Sequence, residues 1–201
     1  MLLKVIACEV LTREICISIS KTKHSIDLEF TDKGAHNDAN NLRELIQSKI
    51  DAAENSSRNY DAILLGFGLC GNSILDLEAR KTKLIIPRAH DCCTLFLGDK
   101  NKFREIFSER PSTPFTSTGY MEHGGSFTHD AGDFAEQMGL KKSFQAYVDE
   151  YGEESAKYLW DSLHTTRDDH SDEIVFIEIP ELAHLGFAEK CKSLAKQENK
   201  T

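Results

Sequence analysis

Five residues of the chain carry chemistry that belongs together: Cys8, Cys70 and the run His90-Asp91-Cys92. Cysteine sulfur and histidine nitrogen are the usual ligands of zinc, which takes four in a tetrahedron. Copper(I) and iron–sulfur clusters, the other soft-metal choices, share the taste for sulfur. Cys8, Cys70 and Cys92 as three ligands would leave a fourth position for water or substrate, the catalytic arrangement; closure by His90 would make a structural site. Bound metal keeps such sulfurs ionised, and Asp91 and Glu9 have carboxylates that could orient an imidazole. Without metal, Cys92 or Cys70 could serve as a nucleophile, with His90 as base or proton-transfer group and Asp91 as its orienter.

Any one cysteine is more often a small core residue than a ligand. The weight here comes from position. Three apolar runs each lead directly into this chemistry: residues 2–7 into Cys8-Glu9, 61–66 into Gly66-Phe-Gly-Leu-Cys70-Gly71, and 83–86 into Pro87-Arg-Ala-His90-Asp91-Cys92. If these runs are parallel strands, their carboxyl ends share one rim, where ligands of such sheets bind. Cys16 and Cys191 read as packing residues, and Cys93 as the neighbour that faces away from Cys92 on a helix. His36, His123, His129, His164 and His170 read by default as surface residues, with a weak chance that His36 faces the rim and that the loop holding His123 closes over it as a lid.

The glycine-rich stretch misses the dinucleotide fingerprint by one position. Gly68 and Gly71 could still present backbone N–H groups to a bound group, or permit close backbone approach around Cys70. No Walker lysine follows, which argues against nucleotide hydrolysis.

The elements that must position these residues are legible as periodicities. Strands are expected at 2–7, 25–30, 61–66, 83–86 and 174–179, and helices from Asn37 or Asp38 to about Ala53, over Ser73–Arg80, over Cys92–Glu109 with a break at Gly98, over 131–149 and 152–164, and at the carboxyl end. Residues 9–20 fit helix and strand alike, and 110–130, rich in Pro, Gly, Ser and Thr, reads as a loop. Apolar strands alternating with helices predict an α/β fold: a mainly parallel sheet with helices on both faces, three layers of the Rossmann-like or flavodoxin-like kind. At 201 residues, a single α/β domain over 1–196 with a polar tail at 197–201 is expected.

A net charge of −9 argues against nucleic-acid binding. No segment has the roughly 20 apolar residues of a membrane span, and Lys4 followed by Glu9, Arg13 and Glu14 spoils a signal-peptide reading. The expected setting is the cytoplasm, where six scattered cysteines stay reduced, and the expected partner is a small molecule.

Tyr60-Asp-Ala-Ile-Leu-Leu-Gly-Phe-Gly-Leu-Cys-Gly-Asn and Pro87-Arg-Ala-His-Asp-Cys-Cys-Thr-Leu-Phe-Leu-Gly, with Ile6-Ala-Cys-Glu9, Tyr120-Met-Glu-His123 and Tyr151-Gly-Glu-Glu-Ser-Ala, carry a resemblance over nearly the whole chain. The chain resembles the uncharacterised prokaryotic family called domain of unknown function 1638. Members tend to carry a histidine before the second helix, here His36. The resemblance implies, through members encoded near corrinoid-dependent methyltransferases, a place in one-carbon metabolism and a corrinoid protein or methyltransferase as partner. A corrinoid or metal carrier without turnover is the non-enzymatic alternative. Phe67 stands where the family usually has tyrosine. The chain also stops soon after Lys196, where members often continue into another strand and helix, so part of the usual pocket is expected to be missing.

Overall fold

Leu2–Cys8 form strand β1, buried without interruption from Val5 to Cys8, as an apolar run in mid-sheet must be. In the computed structural model of the protein, the described residues are 1–107, 113–123, 148, 152, 153, 156, 157, 173–197, 200 and 201. The chain divides into two compact units. One holds Met1–Pro111 and Ser117–Gly124; the other holds Ser112–Thr116 and Gly125–Thr201.

In the first unit β1 pairs in parallel with β2 (Ser25–Thr31) and with β3 (Ala62–Gly66), and β3 pairs in parallel with β4 (Leu84–Ile85), giving the order β2-β1-β3-β4. This is the expected α/β fold with a parallel sheet. The step from β1 to β2 runs one way and the step from β2 to β3 crosses back over β1. Right-handed crossovers therefore put α1 (Thr12–Lys21) and α2 (Ala39–Glu54) on opposite faces. Helix α2 is capped by Asp38, whose carboxylate accepts from the Asn40 and Asn41 amides, and it buries Leu42, Ile46, Ile50 and Ala53. Connections from the ends of β1 and β3 leave in opposite directions, which opens a crevice between those two carboxyl ends.

The ambiguous segment 9–20 resolves into a 3-10 turn at Glu9–Leu11 followed by α1. Ser73–Arg80 is not the expected helix. Cys70, Gly71, Asn72 and Asp76 have φ of 43°, 66°, 67° and 61°, and a left-handed backbone cannot run on into a right-handed helix. The segment is instead tied to α2, with the Glu78 amide donating to Gln47 Oε1 and the Lys81 and Thr82 amides to Glu54 Oε1. The break at Gly98 is present: its φ of 69° ends α3 (Cys92–Leu97) before α4 (Lys100–Phe107) begins.

Part of the expected loop at 110–130 is ordered, as β5 (Phe115–Ser117) and α5 (Thr118–Glu122). β5 pairs with β6 (Val175–Ile177); in the second unit a 3-10 turn spans Pro180–Leu185, and α6 covers Phe187–Gln197. The Ile174 amide donates to the Thr201 carbonyl, which ties down the polar carboxyl end. The helices expected at 131–149 and 152–164, and His129, His164 and His170, lie outside the described residues but for isolated positions. Among the described residues no helix is long and apolar enough to cross a membrane.

Candidate metal centre

Beyond β3 and β4 the two chains stay in register. The Leu69 amide donates to the Ala89 carbonyl at 3.1 Å and the Cys70 amide to the His90 carbonyl at 3.3 Å, which holds the two segments together beyond the ends of the strands. Gly68 makes this approach possible, because a Cβ there would lie 2.5–2.7 Å from the backbone atoms of Asp91. Its N–H also points at the sulfurs of both Cys70 and Cys92. The left-handed turn then directs Cys70 back, and the Asp91 carboxylate caps α3 by accepting from the Thr94 amide at 2.8 Å and the Thr94 hydroxyl at 3.0 Å, so Cys92 opens that helix. The two sulfurs lie 3.8 Å apart. That is too far for a disulfide, whose S–S bond is about 2.05 Å. Two zinc–sulfur bonds of about 2.3 Å at a tetrahedral angle span about 3.8 Å.

The third member is His36, in the 3-10 turn Lys33–Asn37 that follows β2. The donor atoms of His36, Cys70 and Cys92 all lie within 4.8 Å of one another. Nδ1 of His36 is 3.2 Å from the Lys33 carbonyl, which can only accept, so the proton is assigned to Nδ1 and the lone pair to Nε2. Nε2 is buried and has no hydrogen-bond partner. Burial, and the Lys33 charge after it, hold the ring's pKa below the usual histidine value and so keep it neutral. A neutral imidazole fixed through one nitrogen by a backbone carbonyl is the form in which histidine ligates metals.

Electrostatics within the thiol pair are asymmetric. The hydrogen bond between them keeps the proton on Cys70, whose pKa is driven up, and favours ionisation of Cys92, whose sulfur also accepts from the Gly68 N–H and the Tyr120 hydroxyl. Tyr120 itself is held far above its ordinary pKa by burial and by the neighbouring sulfurs, and so stays a donor. Cys8, fully buried at the end of β1, is pushed up to about 12 by burial and then by the Cys92 charge. Its sulfur lies 4.0 Å from His36 Nδ1, beside the ring nitrogen that carries the proton.

Helix α5 closes over these groups because of Gly119, where a Cβ would sit 1.7 Å from the Val10 carbonyl oxygen. The Arg13 guanidinium grips both oxygens of Glu122, and Glu9 joins two elements, accepting from the Lys33 amide at 2.7 Å and meeting His123 Nδ1 at 3.2 Å. Tyr120 packs against Phe96, and the Lys33 ammonium lies 5.9 Å from the centre of the Tyr120 ring.

Set against the sequence reading, Cys70 and Cys92 are brought together and Cys8 stands beside His36 rather than among the three donors that mutually approach. The imidazole at the thiols is His36, not His90. The His90 side chain is 83% exposed and its Nδ1 faces Asp91 Oδ2 at 3.4 Å; its inward contribution is the backbone carbonyl that fixes Cys70. Asp91 works mainly as a helix cap. Gly68 serves close approach and sulfur hydrogen bonding, and Gly71 serves a positive φ, a Cβ there meeting only Ala39 Cβ at 3.9 Å. Cys93 is a buried thiol pushed up to about 12 by its surroundings, burial foremost, and Cys16 is exposed. Tyr120 was not singled out from sequence as a member of the site, and His36 and His123 were read by default as surface residues; Glu9 was read as able to orient an imidazole, and the imidazole it meets is His123. The signal for His36 was its place just beyond a fourth parallel strand, on the same rim.

Fold and cluster together define an α/β protein with a candidate metal-ligating site at the carboxyl ends of its parallel strands. The chain belongs to the family described as protein of unknown function (DUF1638), whose sequence profile matches residues 30–196. No curated protein and no solved structure shows a significant match to the chain.

Proposed function

We propose that this protein is a metal–thiolate protein, with zinc as the metal, that acts on a small sulfur or one-carbon compound. Cys70, Cys92 and His36 Nε2 supply three ligands, and the fourth position receives the substrate. The observation that carries this reading is a cluster of one imidazole and two thiols whose donor atoms all lie within 4.8 Å of one another, with the sulfurs at the spacing of a tetrahedral metal and His36 Nε2 buried without a partner. A buried polar atom without a partner costs about 1–3 kcal/mol, and a metal ion removes that cost. The charge balance favours activation over a merely structural role. Zinc with two thiolates and one neutral imidazole has no net charge and keeps enough Lewis acidity to bind a thiol as thiolate at neutral pH. A metal-held thiolate is the acceptor that methyl transfer needs, and the link to corrinoid-dependent methyl donors belongs to this same proposal.

Elemental analysis of protein purified without nickel affinity resin tests the reading. About one zinc per chain is expected, together with transfer of a methyl group from methylcobalamin to added 2-mercaptoethanol. Metal-free protein whose six thiols all titrate freely would overturn it. One observation favours a second reading, a metal-free enzyme with Cys92 as nucleophile: the lowered pKa of Cys92. In that case iodoacetamide near neutral pH should label Cys92 rapidly and selectively, and a zinc chelator should leave the rate unchanged.

A further inference from the structure

Glu9 and His123 form a carboxylate–imidazole pair that neither metal ligation nor capping explains. Glu9 Oε2 lies 3.2 Å from His123 Nδ1, while the other oxygen of Glu9 is fixed by the Lys33 amide. The carboxylate is thus held from two sides and orients the ring. Both partners are tied to the cluster. Glu9 directly follows Cys8. His123 ends α5 three residues after Tyr120, so it shares the helix face of the residue whose hydroxyl reaches Cys92. The pair is partly open, with side-chain exposures of 30% for His123 and 23% for Glu9, and His123 Nε2 has no hydrogen-bond partner among the described residues. A part-exposed ring that a carboxylate orients, on the same short helix as the tyrosine whose hydroxyl reaches Cys92, is placed to exchange a proton with an incoming molecule.

We infer that His123, oriented by Glu9, is the general base that deprotonates the thiol of a small substrate as its sulfur enters the fourth metal position. The inference rests on the metal–thiolate reading and deepens it. The step balances. The S–H bond of the substrate breaks, its proton goes to His123 Nε2, and the sulfur lone pair forms the metal–sulfur bond while a bound water leaves. The imidazolium then returns its proton to solvent. Among the described residues, the charged groups that act on the ring are Glu9, from the end of β1, and Glu122, from α5; Glu122 is paired with Arg13 of α1, and Glu9 is the charge in contact with the imidazole.

The test uses full-length protein loaded with cobalt(II), whose sulfur-to-metal absorption band reports thiol binding, and 2-mercaptoethanol as the probe, in stopped flow at pH 7. The His123→Gln variant, which can still donate to Glu9, is expected to retain its cobalt and to bind the thiol about 100-fold more slowly than wild type. Added imidazole should restore part of the rate in His123→Ala, a response that a purely structural role would not give. Wild-type rates in His123→Gln, or no rescue of a folded, cobalt-loaded His123→Ala, would overturn the role of His123 while leaving the metal site standing. A wild-type protein that takes up neither cobalt nor zinc would overturn the metal reading and this inference together.

Discussion

Replacing His36 by glutamine is expected to remove most of the stabilisation of the protein by zinc while leaving the zinc-free protein nearly as stable as wild type. A metal that binds only the folded state adds about 4 kcal/mol when its free concentration is about a thousand times its Kd, which for a chain of this length raises the Tm by about 8–16 °C. Glutamine keeps a donor for the Lys33 carbonyl but has no imidazole lone pair. Altering even a group behind the ligands lowers metal affinity about 10–100-fold, so loss of a ligand is expected to exceed about 100-fold. In the zinc-free protein there is little to lose, because Nε2 has no partner; the change in unfolding free energy should stay within about 1 kcal/mol. His90→Ala is the control. Its side chain is exposed, so both stability and the zinc response should match wild type within about 0.5 kcal/mol. Thermal melts with and without zinc decide the matter. A full zinc response in His36→Gln together with its loss in His90→Ala would return the site to the ligand set read from sequence.

Gly119→Ala carries the largest expected effect on the fold around the site. The added Cβ would stand 1.7 Å from the Val10 carbonyl oxygen and 2.7 Å from its carbon, and both are backbone atoms that no rotamer change can move aside. Ordinary overpacking of a core costs about 1–3 kcal/mol; here a helix must leave its seat, so about 3 kcal/mol or more is expected from the denaturant midpoint. Movement of α5 would also withdraw the Tyr120 hydroxyl from Cys92 and part His123 from Glu9. A Gly119→Ala protein within about 0.5 kcal/mol of wild type would mean that α5 is not packed on the Glu9–Leu11 turn as described.

The strands and α2 were legible because burial leaves a mark on sequence. Leu2–Cys8 and Ala62–Gly66 are buried over most of their length and read as apolar runs, the first interrupted only by Lys4, while α2 shows Leu42, Ile46 and Ile50 at helical spacing. Cys70 and Cys92 were legible for a related reason: each stands a few residues beyond a recognisable strand. The choice of histidine was not. His90 lies next to Cys92 in sequence, but the strand-like step before α3 turns its side chain outward, whereas His36 is brought in by a turn whose direction depends on Asp32 accepting from the Gly34 amide and on the Lys33 carbonyl. Such contacts leave no periodicity. Tyr120 was hidden in a stretch whose composition predicts loop, since α5 owes its place to the contact of Gly119 with Val10, more than a hundred residues away in sequence. Over Ser73–Arg80, helix-compatible residues were overridden by the left-handed backbone of Cys70–Asn72 and by hydrogen bonds to Gln47 and Glu54.

X-ray absorption at the zinc edge of the protein as purified addresses the central claim most directly. The arrangement of Cys70, Cys92 and His36 predicts one zinc with two sulfur scatterers at about 2.3 Å and an imidazole nitrogen at about 2.0–2.1 Å, with the sulfur shell rising to three when 2-mercaptoethanol is added. A zinc bound only by oxygen and nitrogen, or no zinc edge at all, would contradict it.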